Sequence, residues 1–207
     1  MVETLGLFPL DARVDEQGRL WLGECLASSL AQEFGTLLYV FDETTLRARC
    51  REYRQALAQH YPGQGQVAYA SKAYLNLALA QLFAQEGLSL DVVSGGELYV
   101  ARQAGFPAER IHFHGNNQSA AELAAALDEG VGRIVVDNFH ELGVLERLAV
   151  ERRVRVSIWL RLSPGNQLPR SKLRGMTRIS YPQNAASREE SDPLWSEGRL
   201  QFRAARV

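Results

Sequence analysis

Only two lysines, Lys72 and Lys172, stand against 21 arginines in this chain of 207 residues. Lys72 lies in VAYASKAYLN (67–76), at the end of a short apolar run. An amine and a guanidinium are both cations, but only the amine becomes a nucleophile. A lysine desolvated at a strand end can lose its proton and form a Schiff base with an aldehyde. Arginine stays protonated and cannot do this. A solvated surface lysine is the plain alternative. Further groups with chemical capacity follow. Asp91 lies in LSLDVV, His112 and His114 in RIHFHG, and Arg161 in VRVSIWLRL. The two histidines, two residues apart on a strand, share one face. A zinc site would need three or four ligands, and no third is evident, so no metal is expected. Asp91 and Arg161 could instead form a structural ion pair.

These residues sit on a regular alternation. Strands are expected over 37–41, 66–71, 88–93, 110–115, 133–137 and 154–162. Helices are expected over 43–59, 75–86, from Ser94, over 119–128 and over 139–149. Asp42 suits a helix N-cap, and SGGE (94–97) and SAAE (119–122) read as capping boxes. Gly87, Gly105 and Gly130 fall where helix C-caps need them. Repeats of about 20 to 25 residues with short loops predict parallel strands joined by right-handed helical crossovers. An open doubly wound sheet and a barrel both fit this pattern. In either, chemistry gathers at the C-terminal ends of the strands. A whole barrel takes roughly 250 residues, so the chain is expected to supply only part of one.

The composition is that of a soluble globular domain. A net charge of −1 gives no basic arm for nucleic acid and no polybasic membrane patch. No stretch has the length of a membrane span, and the N-terminus lacks the pattern of a secretory signal. Cys25 and Cys50 have no CxxC spacing and read as reduced thiols in a cytoplasmic protein. The rhythm breaks after Gly165. Of residues 166–207 only 14 of 42 are hydrophobic, against 46% overall, and no strand–helix alternation is visible. The expected organisation is an N-terminal segment (1–36), a partial barrel (37–165) and an irregular or out-of-frame tail (166–207).

Several of these stretches resemble a known family. YASKAY resembles the YAxKA motif of the fold-type III pyridoxal-phosphate decarboxylases. LYVFDETTLRAR, LDVVSGGELYVARQAGF, RIHFHGNNQSAAELAAALDEGVGRIVVDN and IWLRLSPG resemble the diaminopimelate decarboxylases in particular, in register over about residues 20–165. The resemblance implies an alanine-racemase-like (β/α)8 TIM barrel. This chain would hold about five βα units of it and no C-terminal β-domain.

The resemblance also implies roles. Lys72 would hold pyridoxal 5'-phosphate as a Schiff base, with Tyr69 and Ala70 lining the pocket. Asp91 would set the charge state near the lysine, His114 would approach the cofactor, and Arg161 would join the polar network under the ring. The reaction implied is decarboxylation of meso-diaminopimelate to lysine, in the cytoplasm, by a homodimer acting on a small amino acid. Gln118 stands where the family more often has lysine. The proton donor, the ring-nitrogen carboxylate and the phosphate-binding glycines of the family are not matched after residue 165, so this chain alone is expected to be inactive. Decarboxylation of another basic amino acid, a non-catalytic pyridoxal-phosphate barrel and a racemase of the same fold are the competing readings.

Overall fold

The computed structural model describes residues 6–161 and the backbone of 200–202. The chain divides into two compact units, Met1–Val67 and Ala68–Val207.

The first unit begins with three short antiparallel strands, β1 (Arg13–Val14), β2 (Leu20–Leu22) and β3 (Cys25–Leu26). The β1–β2 turn is organised by one carboxylate. Asp15 accepts hydrogen bonds from Trp21 Nε1, the Arg19 backbone and side chain, and the Gln17 backbone. The Trp21 bond and then the Arg19 backbone bond hold its carboxyl well below the usual carboxylate range. Two helices follow, α1 (Ala27–Phe34) and α2 (Glu43–His60). Asp42 caps α2 as expected, accepting from the Thr45 N–H at 2.7 Å. Both cysteines are free thiols, Cys25 exposed and Cys50 buried.

One expected strand is absent. LLYVF (37–41) makes no ladder among the described residues, and Leu37 to Phe41 are all exposed. A β-rich run encodes only a preference for extended backbone. A strand also needs a neighbour for its N–H and C=O groups, and no described segment supplies one.

The second unit is a parallel sheet. Its strands are β4 (Ala68–Ala70), β5 (Ser89–Val92), β6 (Ile111–His114), β7 (Arg133–Val136), β8 (Val156–Leu160) and β9 (Leu200–Phe202). They stand side by side in chain order, and every neighbouring pair is parallel. Helices α3 (Leu77–Gln85), α4 (Gly95–Gln103), α5 (Ala120–Asp128) and α6 (Phe139–Arg152) connect the first five strands. A doubly wound sheet reverses its strand order at a switch point. Here the order never reverses, so right-handed crossovers place every helix on one face. That is the winding of a barrel. The sixth strand, β9, falls within the expected tail and pairs with β8. Residues 162–199 and 203–207, the rest of that tail among them, lie outside the described residues.

The two faces of the sheet differ in chemistry. Leu90, Val92, Ile111, Phe113, Ile134, Val136 and Ile158 alternate along the strands and are at most 2% exposed. They pack with Leu79, Phe83, Leu98, Leu123 and Leu145 of the helices into the core. The intervening positions carry Ser89, Asp91, His112, His114, Arg133 and Trp159. The ladder puts these on a shared inner face, since Asp91 stands beside His112, His112 beside Arg133, and Val135 beside Trp159. A fully covered parallel sheet reads as continuous apolar runs. The polar alternation here marks a face built to hold chemistry.

Helix boundaries follow local caps. Asn76, Ser94, Ser119 and Asn138 cap α3 to α6, each accepting from the backbone N–H three residues on. Thus α3 starts at Leu77 instead of Leu75, because Asn76 is the cap. Gly87, Gly105 and Gly130 take positive φ as expected. Arg153 does the same after α6, with φ 55°, and this helix runs three residues beyond its expected end.

Candidate functional site

A cavity of about 420 Å³ opens at the C-terminal ends of the strands. Lys72, Asp91, His114, Gln118, Glu122 and Arg161 are among its lining residues. Four of the six residues singled out from the sequence therefore converge.

Lys72 reaches the cavity from a single 3-10 turn, Ser71–Ala73, immediately after β4. It is exposed, so the described residues do not supply the dry surroundings that its strand-end position suggested. Beneath it Ser71 is 2% exposed, and its Oγ has no hydrogen-bond partner among the described residues. Asp91, one strand over, faces His114 at the end of β6. The imidazole Nδ1 lies 3.2 and 3.3 Å from the two carboxylate oxygens. With the proton on Nδ1, the carboxylate fixes the ring and leaves Nε2 as the acceptor.

Arg161 follows β8, its backbone N–H bonded to Val136 O at 2.9 Å. Its partner is Asp137, with Nε to Oδ1 at 3.5 Å. The Asp91–Arg161 ion pair considered from the sequence is not formed, because each group has a nearer partner on the adjacent strand. Asp137 was the missed residue. It closes RIVVD as Asp91 nearly closes LSLDVV, and that parallel was the available signal.

Tyr69 and Ala70 do not line the cavity. Tyr69 alternates away from it. Its ring stacks on Phe83 of α3 at 4.1 Å and its hydroxyl donates to Tyr74 O at 2.8 Å. Burial raises its phenol pKa, against the Tyr74 hydrogen bond. Ala70 stands beside Asp91 in the ladder.

Glutamates at the third helical position brace the loops. Glu97 accepts from the Val93 N–H at 2.9 Å, one residue before the Ser94 cap, so SGGE is a variant of the expected capping box. SAAE is the full reciprocal form. Glu122 also reaches Gly95 N of the preceding unit at 3.0 Å.

His112 lies deeper on the inner face, 5% exposed, its ring 4.8 Å from that of Trp159. Neither His112 Nε2 nor Trp159 Nε1 has a hydrogen-bond partner among the described residues. Burial lowers the His112 pKa, helped by the Arg133 cation and by His114 and opposed by Asp91. An unfolded histidine binds its proton near pH 6.5. Between that value and the lower folded pKa, the unfolded chain holds more protons. The stability due to neutral His112 is therefore complete above about pH 6.5 and is lost as pH falls toward the folded pKa. Thermal melts of the wild type should lose midpoint more steeply from pH 7 to pH 5 than those of His112→Gln. Parallel curves would show that His112 is not the titrating group.

Comparison with known proteins places this geometry. Residues 43–178 match the family described as "Pyridoxal-dependent decarboxylase, pyridoxal binding domain". The match runs past Gly165, where the composition changes. The diaminopimelate decarboxylase of Bacillus subtilis is 51% identical over 154 residues, covering 74% of this chain and 35% of that protein. The crystal structure of the M. jannaschii diaminopimelate decarboxylase with L-lysine aligns at a TM-score of 0.66 and 31% identity, over 72% of this chain and 35% of that one. The Vibrio vulnificus lysine/ornithine decarboxylase with putrescine aligns at 0.56 and 26% identity, over 68% and 36%. The chain spans about a third of the length of these relatives. The sheet winding, the lysine at the cavity and the match over 43–178 agree, and the chain belongs to the pyridoxal-dependent decarboxylase family through its pyridoxal-binding domain.

Proposed function

We propose that this chain forms the lysine-bearing side of a pyridoxal-phosphate-dependent carboxy-lyase that converts meso-diaminopimelate to lysine. The observation that carries the reading is the convergence of Lys72, Asp91, His114 and Arg161, from four different strand ends, on one cavity. The residues fit the cofactor. The cavity has the size of small-ligand sites, roughly 300 to 1,000 Å³. An exposed amine stands on its wall, and the unpartnered Ser71 Oγ lies next to it in sequence.

When bound, the cofactor supplies an electron sink for the carbanion left by loss of carbon dioxide. The protein's own part is positional. Lys72 Nζ would be the amine that holds the cofactor. Asp91 holds the His114 ring in one orientation, so that Nε2 can accept a proton from a bound ligand. Arg161, steered by Asp137, keeps a fixed cation at the cavity edge for an anionic group. Cytoplasmic location and a homodimer are parts of the same proposal.

A chimera tests it. Residues 20–165 replace the corresponding segment of the Bacillus subtilis decarboxylase, and carbon dioxide release is measured from meso-diaminopimelate, ornithine and arginine. The expected result is release from meso-diaminopimelate only, lost in Lys72→Ala. Release from ornithine or arginine instead would give the activity to another basic amino acid. Cofactor uptake without any release would point to a carrier. The 207-residue chain assayed alone should show no turnover above its own Lys72→Ala control, since it spans about a third of the length of the decarboxylases it matches.

A further inference from the structure

One buried acid on α6 has no role in the site as described. Glu141 is 4% exposed, yet both of its carboxylate oxygens are used. Oε2 accepts from the Asp137 N–H at 2.8 Å. Oε1 accepts from the side-chain amide of Gln118, which belongs to the preceding βα unit. In the amide orientation that satisfies both of its ends, Gln118 Oε1 accepts in turn from the Gly115 N–H at 2.6 Å. The chain of bonds is directional. Gly115 donates to Gln118, Gln118 donates to Glu141, and Asp137 donates to Glu141 from the other side. One end is a cavity wall, since Gly115 and Gln118 both line it. At the other end Asp137 carries the carboxylate that faces Arg161, which lines the same cavity.

We propose that Glu141 is a positioning residue that couples the His114–Gln118 loop to the Asp137–Arg161 pair, so that two adjacent βα units present one cavity wall. A carboxylate is needed because both groups facing it are donors. Glutamine at 141 would turn an N–H toward one of them. No apolar side chain could accept from either, and a buried donor left without an acceptor is costly. Glu141 itself does not line the cavity, so its effect on a ligand there must pass through the two neighbours.

The test compares Glu141→Gln with Ala149→Gly, a second buried position of the same helix that lies two turns beyond Glu141. Amide hydrogen exchange is followed in the 207-residue chain. In Glu141→Gln, exchange at Gly115 should rise about ten-fold or more, together with Asp137, as expected for losing a hydrogen bond to a charged group. Gly115 is linked to Glu141 through the Gln118 amide and bonds that amide's oxygen, so a defect confined to α6 would leave it protected. Adding Gln118→Met should raise Gly115 exchange no further, because the same relay is already broken. Gly115 exchange unchanged in Glu141→Gln, or raised equally by Ala149→Gly at matched thermal midpoint, would overturn the proposal.

A second arm rests on the cofactor reading. Half-labelling of Lys72 by pyridoxal 5'-phosphate and borohydride should need about ten-fold more cofactor in Glu141→Gln than in Ala149→Gly. If the wild type takes no label, the cofactor reading falls, and the exchange result alone decides the relay.

Discussion

Reduction with borohydride in the presence of pyridoxal 5'-phosphate should attach the cofactor to Lys72 and leave Lys172, the other lysine, unlabelled. The argument is chemical. Labelling requires an accessible amine, and Lys72 is exposed on the cavity wall. Asp91, His114 and Arg161 surround the same space and favour a charged ring compound there over bulk water. Reduction makes the bond irreversible, so weak retention does not hide it. Lys72→Arg keeps the positive charge and removes the nucleophile, and labelling should fall to background. Peptide mapping by mass spectrometry reads the position. Recovery of the label on Lys172, or equal labelling of Lys72→Arg, would refute the assignment.

The largest effect on stability is expected from Gly132→Ala. Gly132 donates to Ala108 O at 2.8 Å, drawing the loop before β7 against the 3-10 turn that feeds β6. A Cβ at this position would lie 2.1 Å from Glu109 O and 2.7 Å from its carbonyl carbon. Both atoms are backbone, so no rotamer change relieves the clash. The loop must move, or the hydrogen bond must break. We expect a loss of about 3 kcal/mol or more, at the upper end for single substitutions. The contact lies at the N-terminal ends of the strands, where a barrel keeps stability instead of chemistry. Labelling of Lys72 per folded molecule should therefore be unchanged. Gly143→Ala is the matched control. Gly143 lies inside α6, and nothing stands within 4 Å of an added Cβ. It should gain about 0.5 to 1 kcal/mol from helix propensity. Urea midpoints of the two variants should move in opposite directions.

Local signals in the sequence were read well where one short stretch contains the whole cause. Asp42, Ser94 and Ser119 cap helices because the bond they make closes within four residues. Gly87, Gly105 and Gly130 end helices for an equally local reason. The alternation of strands and helices was legible, and with it the strand ends that bring Lys72, Asp91, His114 and Arg161 together. Partners across the sheet were not. Which acid meets Arg161 depends on strand register, and register is a tertiary property. Asp137 and the Gln118–Glu141 bridge were missed for that reason. Tyr69 was misplaced for a simpler one. Motif membership says that a residue is near the site, while strand alternation decides which face it takes. The run at 37–41 had the composition of a strand without a neighbour to pair with, and β9 is paired with β8 although its own sequence carries no strand-like rhythm.

The unreversed strand order also bears on how the second unit comes off the ribosome. Ala68 pairs with Ser89, Leu90 with Ile111 and His112 with Arg133, a separation of 21 residues each time. Ile134 and Ile158 keep nearly the same interval. Each ladder can therefore close as soon as the next βα unit has emerged, with no wait for distant chain. Contacts of such constant range allow strand-by-strand addition, and domains fold from the N-terminal side during synthesis. Of this unit's strands, β4, which leads into the Lys72 turn, is the first to emerge, and its neighbour β5 arrives one interval later. Only the last pairing, Val156 with Leu200, breaks the cadence. The β8 edge therefore waits for a longer stretch of chain than any other strand of the sheet before its partner is made.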